Sequence, residues 1–176
     1  MATSTPNPDA SGAAAAPTPR RETLRTISAQ IAALDEMIAL ARLSIRVFDI
    51  DLSGMGWNGV ERNATIAALL RRRRDATLQI IVHDTRWIEG TCPRLTQLLR
   101  QYAHAVTIRR TGPDASAVMD PMTIVDGRHL LHRFHIEHAN AEFAIEQPLV
   151  TRPFVERFEE IWASGEPGLS ATVLGL

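Results

Sequence analysis

The sequence predicts a single α/β domain with a mixed β-sheet flanked by helices, mostly parallel with one antiparallel hairpin. Several short runs repeat apolar residues with period two, and the segments between them repeat apolar residues every three or four positions. Strands that alternate with helices of this length are typical of a mostly parallel sheet. The turn Asp126-Gly127, between two apolar runs, predicts the hairpin. A chain of 176 residues can bury one substantial core.

The first elements follow from composition and spacing. Residues 1–18 are rich in Ala, Pro, Ser and Thr, which predicts a disordered leader before a domain at 19–165. Thr18 and Pro19 are predicted as the cap and first position of a helix, and apolar residues from Leu24 to Ala41 occupy one of its faces. The alternating run Leu43–Leu52 then predicts the first strand.

The helix and strand pattern continues through the middle of the chain. A second helix is predicted at Val60–Arg74 and a second strand at Thr77–Val82. Cys92-Pro93 begins another predicted helix, and Ala105–Ile108 is the third strand. These segments make up the part of the sheet that is expected to be parallel.

The pattern changes in the last third of the chain. Met122–Val125 and Leu130–Phe134 flank the hairpin turn, and Glu142–Ile145 predicts one more strand. A closing helix from about Thr151 to Gly165 carries an apolar stripe, and residues 166–176 are expected to form a C-terminal tail.

Composition limits the class of protein. Hydrophobic residues make up 45% and charged residues 22% of the chain, and the net charge of -1 predicts no attraction of the whole molecule to polyanions. Cys92 is the only cysteine, so no intrachain disulfide can form. The sequence has neither a secretory signal pattern nor an apolar run of ~18 residues, so we expect a cytoplasmic protein. The excess of Arg over Lys is typical of GC-rich bacteria.

Particular residues connect this order of elements to a known family. The segments that carry the resemblance are Met119–Gly127, Asn140-Ala141-Glu142 and Phe158–Trp162. Together with the order of helices and strands, they resemble one half of a phospholipase D superfamily protein over about residues 22 to 163. Members carry His-x-Lys-x-x-x-x-Asp, then Gly-Ser-x-Asn, then Asn-x-Glu.

The resemblance implies a degenerate catalytic site. Aligned on Asp126, Met119 stands at the position of the family's nucleophilic His and Pro121 at that of its Lys, while Asp126, Asn140 and Glu142 are retained. The Gly-Ser-x-Asn positions fall on Arg133, Phe134 and Ile136. A thioether and a proline ring cannot attack phosphorus or bind phosphoryl oxygens.

The resemblance therefore implies a binding or accessory protein without phosphodiesterase activity. Single-half members of the superfamily pair about a two-fold axis, so it also implies a homodimer. The interface is expected on the apolar stripe of the closing helix and the exposed part of the hairpin.

Polar side chains follow the first two predicted strands, where ligands bind in open α/β sheets. Asp49, Asp51, His83 and Asp84 would be able to hold a divalent cation or polarise a water, as in a metal-assisted hydrolase. Alternatively, these residues only cap loops. The histidines do not predict a metal site of their own, since His129 and His135 would lie ~20 Å apart on an extended strand. No bound metal and no cofactor are predicted.

Arg71, Arg72, Arg73 and Arg74 end the second predicted helix. Such a cluster predicts binding of nucleic acid or of a phosphate ligand. The alternative is that cations at a helix C-terminus interact with its dipole and stay solvated.

Overall fold

The computed structural model describes residues 17–171. The strands are β1 (Arg20–Leu24), β2 (Ser44–Asp49), β3 (Thr77–Val82), β4 (Val106–Arg110), β5 (Met122–Val125), β6 (His129–Arg133), β7 (Ala141–Ile145) and β8 (Glu166–Pro167). The helices are α1 (Ile27–Ala39), α2 (Val60–Arg72), α3 (Arg86–Thr91), α4 (Pro93–Gln101) and α5 (Pro148–Ser164), with a short 3₁₀ helix at Pro113–Ala115.

All the strands belong to one mixed sheet in the order β1-β7-β6-β5-β2-β3-β4-β8. Strand β2 runs parallel to β3 and β3 parallel to β4, whereas every other neighbouring pair is antiparallel. The predicted α/β class and hairpin are confirmed, but the prediction of a mostly parallel sheet is wrong. The hairpin β5-β6 continues antiparallel into β7 and β1, and the direction of these strands cannot be inferred from alternation alone.

The first element is a strand, where the sequence analysis predicted the start of a helix. Arg20 to Leu24 pair antiparallel with β7, and α1 begins only after Thr26. The Thr26 hydroxyl accepts a hydrogen bond from the backbone N–H of Ala29 at 3.2 Å, a side-chain N-cap. The cap therefore lies at Thr26 instead of Thr18.

The sheet separates two apolar layers. On one face, α1, α2 and α4 pack their buried residues, such as Leu34, Ile66 and Leu95, against the sheet. On the other face, α5 contributes Phe158 and Ile161 to a smaller core. The apolar stripe of α5 is therefore largely used within the chain, which leaves little of it for the predicted dimer interface.

Two short elements were not predicted. Helix α3 lies in a segment to which no element was assigned, and β8 lies in the segment expected to be a tail. Arg109 pairs with Pro167 and Arg110 with Glu166, and Leu169 is buried against the first core. Residues 166–169 thus belong to the folded domain.

The N-terminal leader was predicted at 1–18, and residues 1–16 lie outside the part that the structure describes. Among residues 17–171, no helix combines the length and apolar character needed to cross a bilayer.

Candidate functional site

The candidate residues lie at two opposite rims of the sheet. At the carboxyl end of β2 and β3 lie the predicted strand-end carboxylates together with Met119 and Pro121. At the opposite rim, where β2 and β3 begin, lie Asp126 and the arginines that end α2.

Met119 and Pro121 contribute backbone pairing. The Met119 carbonyl oxygen accepts a hydrogen bond from the Ile136 N–H, and the Pro121 carbonyl oxygen accepts one from the Arg133 N–H, each at 2.8 Å. Neither side chain can act as an acid, a base or a nucleophile in phosphoryl transfer. The positions that the resemblance gives to the family's His and Lys thus serve chain pairing in this protein.

The positions of the family's Gly-Ser-x-Asn segment carry bulky side chains. Arg133 is 6% exposed and donates from Nη2 to the Ile136 carbonyl oxygen at 2.9 Å. Phe134 is exposed on the surface and contacts His132 edge to face. In the alignment that the resemblance implies, a guanidinium and an aromatic ring thus stand at the positions of Gly and Ser.

Asp126 has a structural role at the opposite rim. Its carboxylate accepts hydrogen bonds from the backbone N–H groups of Arg42, Leu43 and Ser44 at 2.7 to 2.8 Å. These donors lead into β2, so Asp126 attaches the hairpin turn to the neighbouring strand. These three hydrogen bonds stabilise the junction.

Asn140 and Glu142 do not form a shared site with Arg133. Asn140 is exposed, and its carbonyl oxygen accepts from the Phe134 N–H at 3.2 Å. Glu142 pairs with Arg21 of β1. It stands opposite His132, whose ring contacts Phe154 of α5, so Glu142 faces the α5 side. Arg133, one residue further along β6, faces the other side.

The strand-end carboxylate Asp49 is buried at 5% exposure and is occupied by its own loop. Its Oδ1 accepts from the N–H of Ile50 at 2.6 Å and, at 3.4 Å, from the N–H groups of the next two residues. Burial raises the pKa of Asp49, while these hydrogen bonds and the charge of Arg133 act in the opposite direction.

The other strand-end residues have separate partners. Asp51 accepts from the Ser53 N–H at 2.8 Å. Arg86 binds the Asp84 carboxylate through its side chain and backbone and lowers its pKa to about 2. His83 Nε2 donates to the Val118 carbonyl oxygen at 2.7 Å, and its Nδ1 is hydrogen-bonded to the Thr111 hydroxyl at 2.6 Å.

These residues do not assemble a metal centre. Across residues 17–171, no group of three or more His, Cys, Asp or Glu side chains has an arrangement that could hold a metal ion. Asp49, Asp51 and Asp84 instead cap their own loops, which was the alternative interpretation of the same pattern, whereas His83 binds two distant segments.

The single thiol belongs to the core. Cys92 is fully buried, and burial raises its pKa to about 11. The thiolate is therefore scarce at neutral pH, and Cys92 is not a nucleophile.

The arginines of α2 meet further arginines at the rim where β2 begins. A concave surface of about 420 Å³ there is lined by Arg42, Arg72 and Arg128, together with Asp126. The pKa of Arg73 is raised by its hydrogen bonds with Asp75 and further by the charge of Asp126, so Arg73 lies at the same place. We call Arg42, Arg72, Arg73 and Arg128 the basic rim.

Sequence reasoning identified the arginines of α2 but missed Arg42 and Arg128. These residues come from the start of β2 and from the hairpin turn, and only the sheet brings them to the end of α2. Asp126 was the available signal in the sequence. Its carboxylate binds the segment that contains Arg42, and Arg128 follows its turn directly.

His129 lies below the basic rim and is buried. Its Nδ1 accepts from the Glu146 N–H at 3.1 Å, and its Nε2 lies 3.5 Å from the Glu146 carboxylate. Burial lowers the pKa of His129 despite that carboxylate, and Arg42 and Arg128 lower it further. The ring is therefore neutral at pH 7, and the positive charge of the rim comes from arginine.

Solved structures of phospholipase D family members have a similar fold. Nuc from Salmonella typhimurium matches with a TM-score of 0.60 and 18% identity over 87% of this chain and 100% of that chain. NucT from Helicobacter pylori matches with a TM-score of 0.56 and 12% identity over 86% of this chain and 100% of that chain.

A DNA-binding protein is similar as well. The archaeal chromatin protein TrmBL2, whose structure shows a novel mode of DNA binding, matches with a TM-score of 0.61 and 20% identity. The match covers 89% of this chain and 56% of that chain, so this chain spans little more than half of TrmBL2. At these identities the likenesses establish the fold alone.

Among curated proteins, no sequence matches this chain. The family model of a domain of unknown function, DUF7931, matches residues 26–171. The chain therefore belongs to the DUF7931 family and has a phospholipase D-like fold.

Proposed function

We propose that this protein is a catalytically degenerate phospholipase D-like domain that binds duplex nucleic acid through the basic rim. The observation that carries the proposal is the convergence of Arg42, Arg72 and Arg128 from three separate segments on one concave surface, with Arg73 next to Arg72 in the chain and within electrostatic reach of Asp126. A local cluster of this kind attracts phosphates even though the whole chain has a net charge of -1.

Several of these guanidinium groups are available to a ligand. Within residues 17–171, no carboxylate lies within 4.0 Å of the guanidinium group of Arg42 or Arg72, nor of those of Arg71 and Arg74. Exposed guanidinium groups without an ion pair bind phosphate oxygens, often through two parallel hydrogen bonds. Arg73 and Arg128, which pair with Asp75 and Glu146, add charge at the margins.

The composition of the rim favours a duplex over a single strand. Among the described residues, no Phe, Tyr or Trp lines this surface. Single-strand binders stack bases on aromatic rings, whereas contacts to a duplex backbone need only cations and hydrogen-bond donors. TrmBL2, a DNA-binding protein of similar fold, supports the same class of ligand.

We infer the loss of catalysis from the side chains that stand at the positions of the family's catalytic motif. Met119 and Pro121 supply no nucleophile and no phosphate ligand, and Arg133 and Phe134 occupy the positions of small residues. A phospholipase D-like fold without these groups retains a scaffold for binding alone.

The test compares DNA affinity between charge-matched variants by fluorescence anisotropy with a labelled 20-base-pair duplex. The rim variant combines Arg42→Gln with Arg72→Gln. The control combines Arg25→Gln with Arg86→Gln, which removes the same charge at the opposite rim, where Arg25 is exposed and the Arg86 side chain is 88% exposed.

We expect the wild type to bind in the micromolar range at low salt, the rim variant to lose about tenfold or more, and the control to lose less than about threefold. An equal loss in both variants, or no binding by the wild type, would refute the basic rim as a nucleic-acid site.

We also propose that the chain forms a homodimer, as the resemblance to phospholipase D proteins implies. Phe134, at the end of the hairpin, is 50% exposed and gives the interface an apolar contact. Sedimentation velocity should show a dimer that Phe134→Ser weakens. A monomer at all concentrations would exclude it.

A further inference from the structure

A second concave surface lies at the rim opposite the basic rim. It has a volume of about 370 Å³ and lies between the start of α1, the loop that follows β2 and the loop between β6 and β7. Its lining includes Asp49, Asp51, Ser53, Arg133 and His138. We call it the Arg133 cleft.

Arg133 is a buried cation that no carboxylate contacts directly. It is 6% exposed, and within residues 17–171 no carboxylate lies within 4.0 Å of its guanidinium. Its Nη2 donates to the Ile136 carbonyl oxygen, whereas its Nε is buried with no hydrogen-bond partner. Burying a charged group without a counter-ion is costly, so a site of this kind is completed by an anion.

Asp49 lines the same cleft and interacts electrostatically with Arg133, but its carboxylate lies more than 4.0 Å from the guanidinium. Its Oδ1 is engaged by the backbone N–H groups of Ile50 and of the two residues that follow. Burial also raises the pKa of Asp49, so its neutral form is favoured more than in an exposed carboxyl group. The guanidinium therefore faces the cleft without a bound carboxylate.

The rim of the cleft defines the rest of the ligand. Asp51 and Glu137 place carboxylates there, and Ser53 adds a hydroxyl. A simple inorganic anion would be repelled by these carboxylates. Hydroxyl groups on the ligand would instead donate hydrogen bonds to them.

We propose that the Arg133 cleft binds a small hydroxylated anion, a phosphate ester or a carboxylate of a polyol. The anionic group binds the Arg133 guanidinium, and the hydroxyl groups bind Asp51 and the rim. The volume of the cleft suits a ligand of this size. Because the cleft and the basic rim lie at opposite ends of the strands, either site can fail without the other.

Isothermal titration calorimetry tests the proposal with four probes: glucose 6-phosphate, gluconate, glucose and inorganic phosphate. We expect the first or the second to bind with a millimolar or lower Kd, glucose not to bind, and inorganic phosphate to bind at least tenfold more weakly. The two anionic sugars distinguish a phosphate ester from a carboxylate.

Two variants locate the site. Arg133→Gln should reduce the affinity at least tenfold, and Asp51→Asn, at a more exposed position that is safer for folding, should reduce it about threefold or more. Arg25→Gln at the same rim is the charge control. Failure of both anionic sugars to bind, equal binding of inorganic phosphate, or undiminished binding by both Arg133→Gln and Asp51→Asn would overturn the proposal.

Discussion

The Asp126 carboxylate accepts a hydrogen bond from the backbone N–H of Ser44 at 2.8 Å, although the two residues are 82 positions apart in the chain. The same carboxylate also accepts from the N–H groups of Arg42 and Leu43. Asp126 has a φ of 53° and is followed by Gly127 with a φ of 66°, as in a tight hairpin turn. Asp126, which the resemblance aligns with the family's motif, thus holds the hairpin against β2.

Replacing Asp126 should destabilise the fold. Asp126→Ala leaves three backbone N–H groups without their charged acceptor, and we expect the free energy of unfolding to fall by about 3 kcal/mol. Urea denaturation measures this. Asp75→Ala, which removes an exposed carboxylate that pairs with Arg73, should change it by less than about 0.5 kcal/mol. Similar losses in the two variants would contradict the role of Asp126.

Asp49 should make stability depend on pH. Burial raises its pKa in the folded state above the ordinary value of 3.8, so the folded protein binds this proton more tightly than the unfolded chain. The resulting stabilisation is fully present below pH ~3.8 and is lost as the pH rises through the folded-state pKa.

Asp49→Asn removes this dependence and keeps the Oδ1 acceptor for the Ile50 N–H. We expect the variant to unfold at a higher temperature than the wild type at pH 7, with a smaller difference near pH 4. Thermal unfolding followed by circular dichroism from pH 4 to 8 measures this. A difference that grows towards low pH would contradict the assignment.

The protein should not hydrolyse phosphodiesters. Met119 and Pro121 offer neither a nucleophile nor a cation, so hydrolysis of bis(p-nitrophenyl) phosphate should equal the buffer rate and be unchanged in Met119→Ala. Release of nitrophenol is followed by absorbance. Turnover above the buffer rate that Met119→Ala abolishes would show that the site is active.

The segment after α5 should contribute to stability. Leu169 is 7% exposed and packs in the larger core, so Leu169→Ala should lower the free energy of unfolding by about 2 kcal/mol. Leu149→Ala, at a side chain that is 85% exposed, is the matched control and should change it by less than about 0.5 kcal/mol. Equal small effects would place Leu169 outside the core.

Local pattern predicted the elements that have strong periodicity. Strand β3 and the hairpin around Asp126-Gly127 follow directly from alternation and turn chemistry. Strand β1 was missed because its pairing with β7 depends on residues more than a hundred positions away. Its register, including the Arg21 pair with Glu142, has no local signal.

The candidate sites show the same limit. Asp51 and Asp84 were identified as polar strand ends, yet each is bound within two residues by its own loop, a local effect that competed with metal binding. Arg72 was identified from a run of like residues. Its neighbours Arg42 and Arg128 are close to it only because the sheet forms.

The salt dependence of DNA binding tests the central claim most directly. If the basic rim contacts about four phosphates, a plot of log Kobs against log salt concentration should have a slope of about -3.6 for the wild type. Arg42→Gln with Arg72→Gln should reduce its magnitude by about 2, and Arg25→Gln with Arg86→Gln should leave it unchanged. A slope near zero in the wild type, or the same slope in the rim variant and the wild type, would contradict the account.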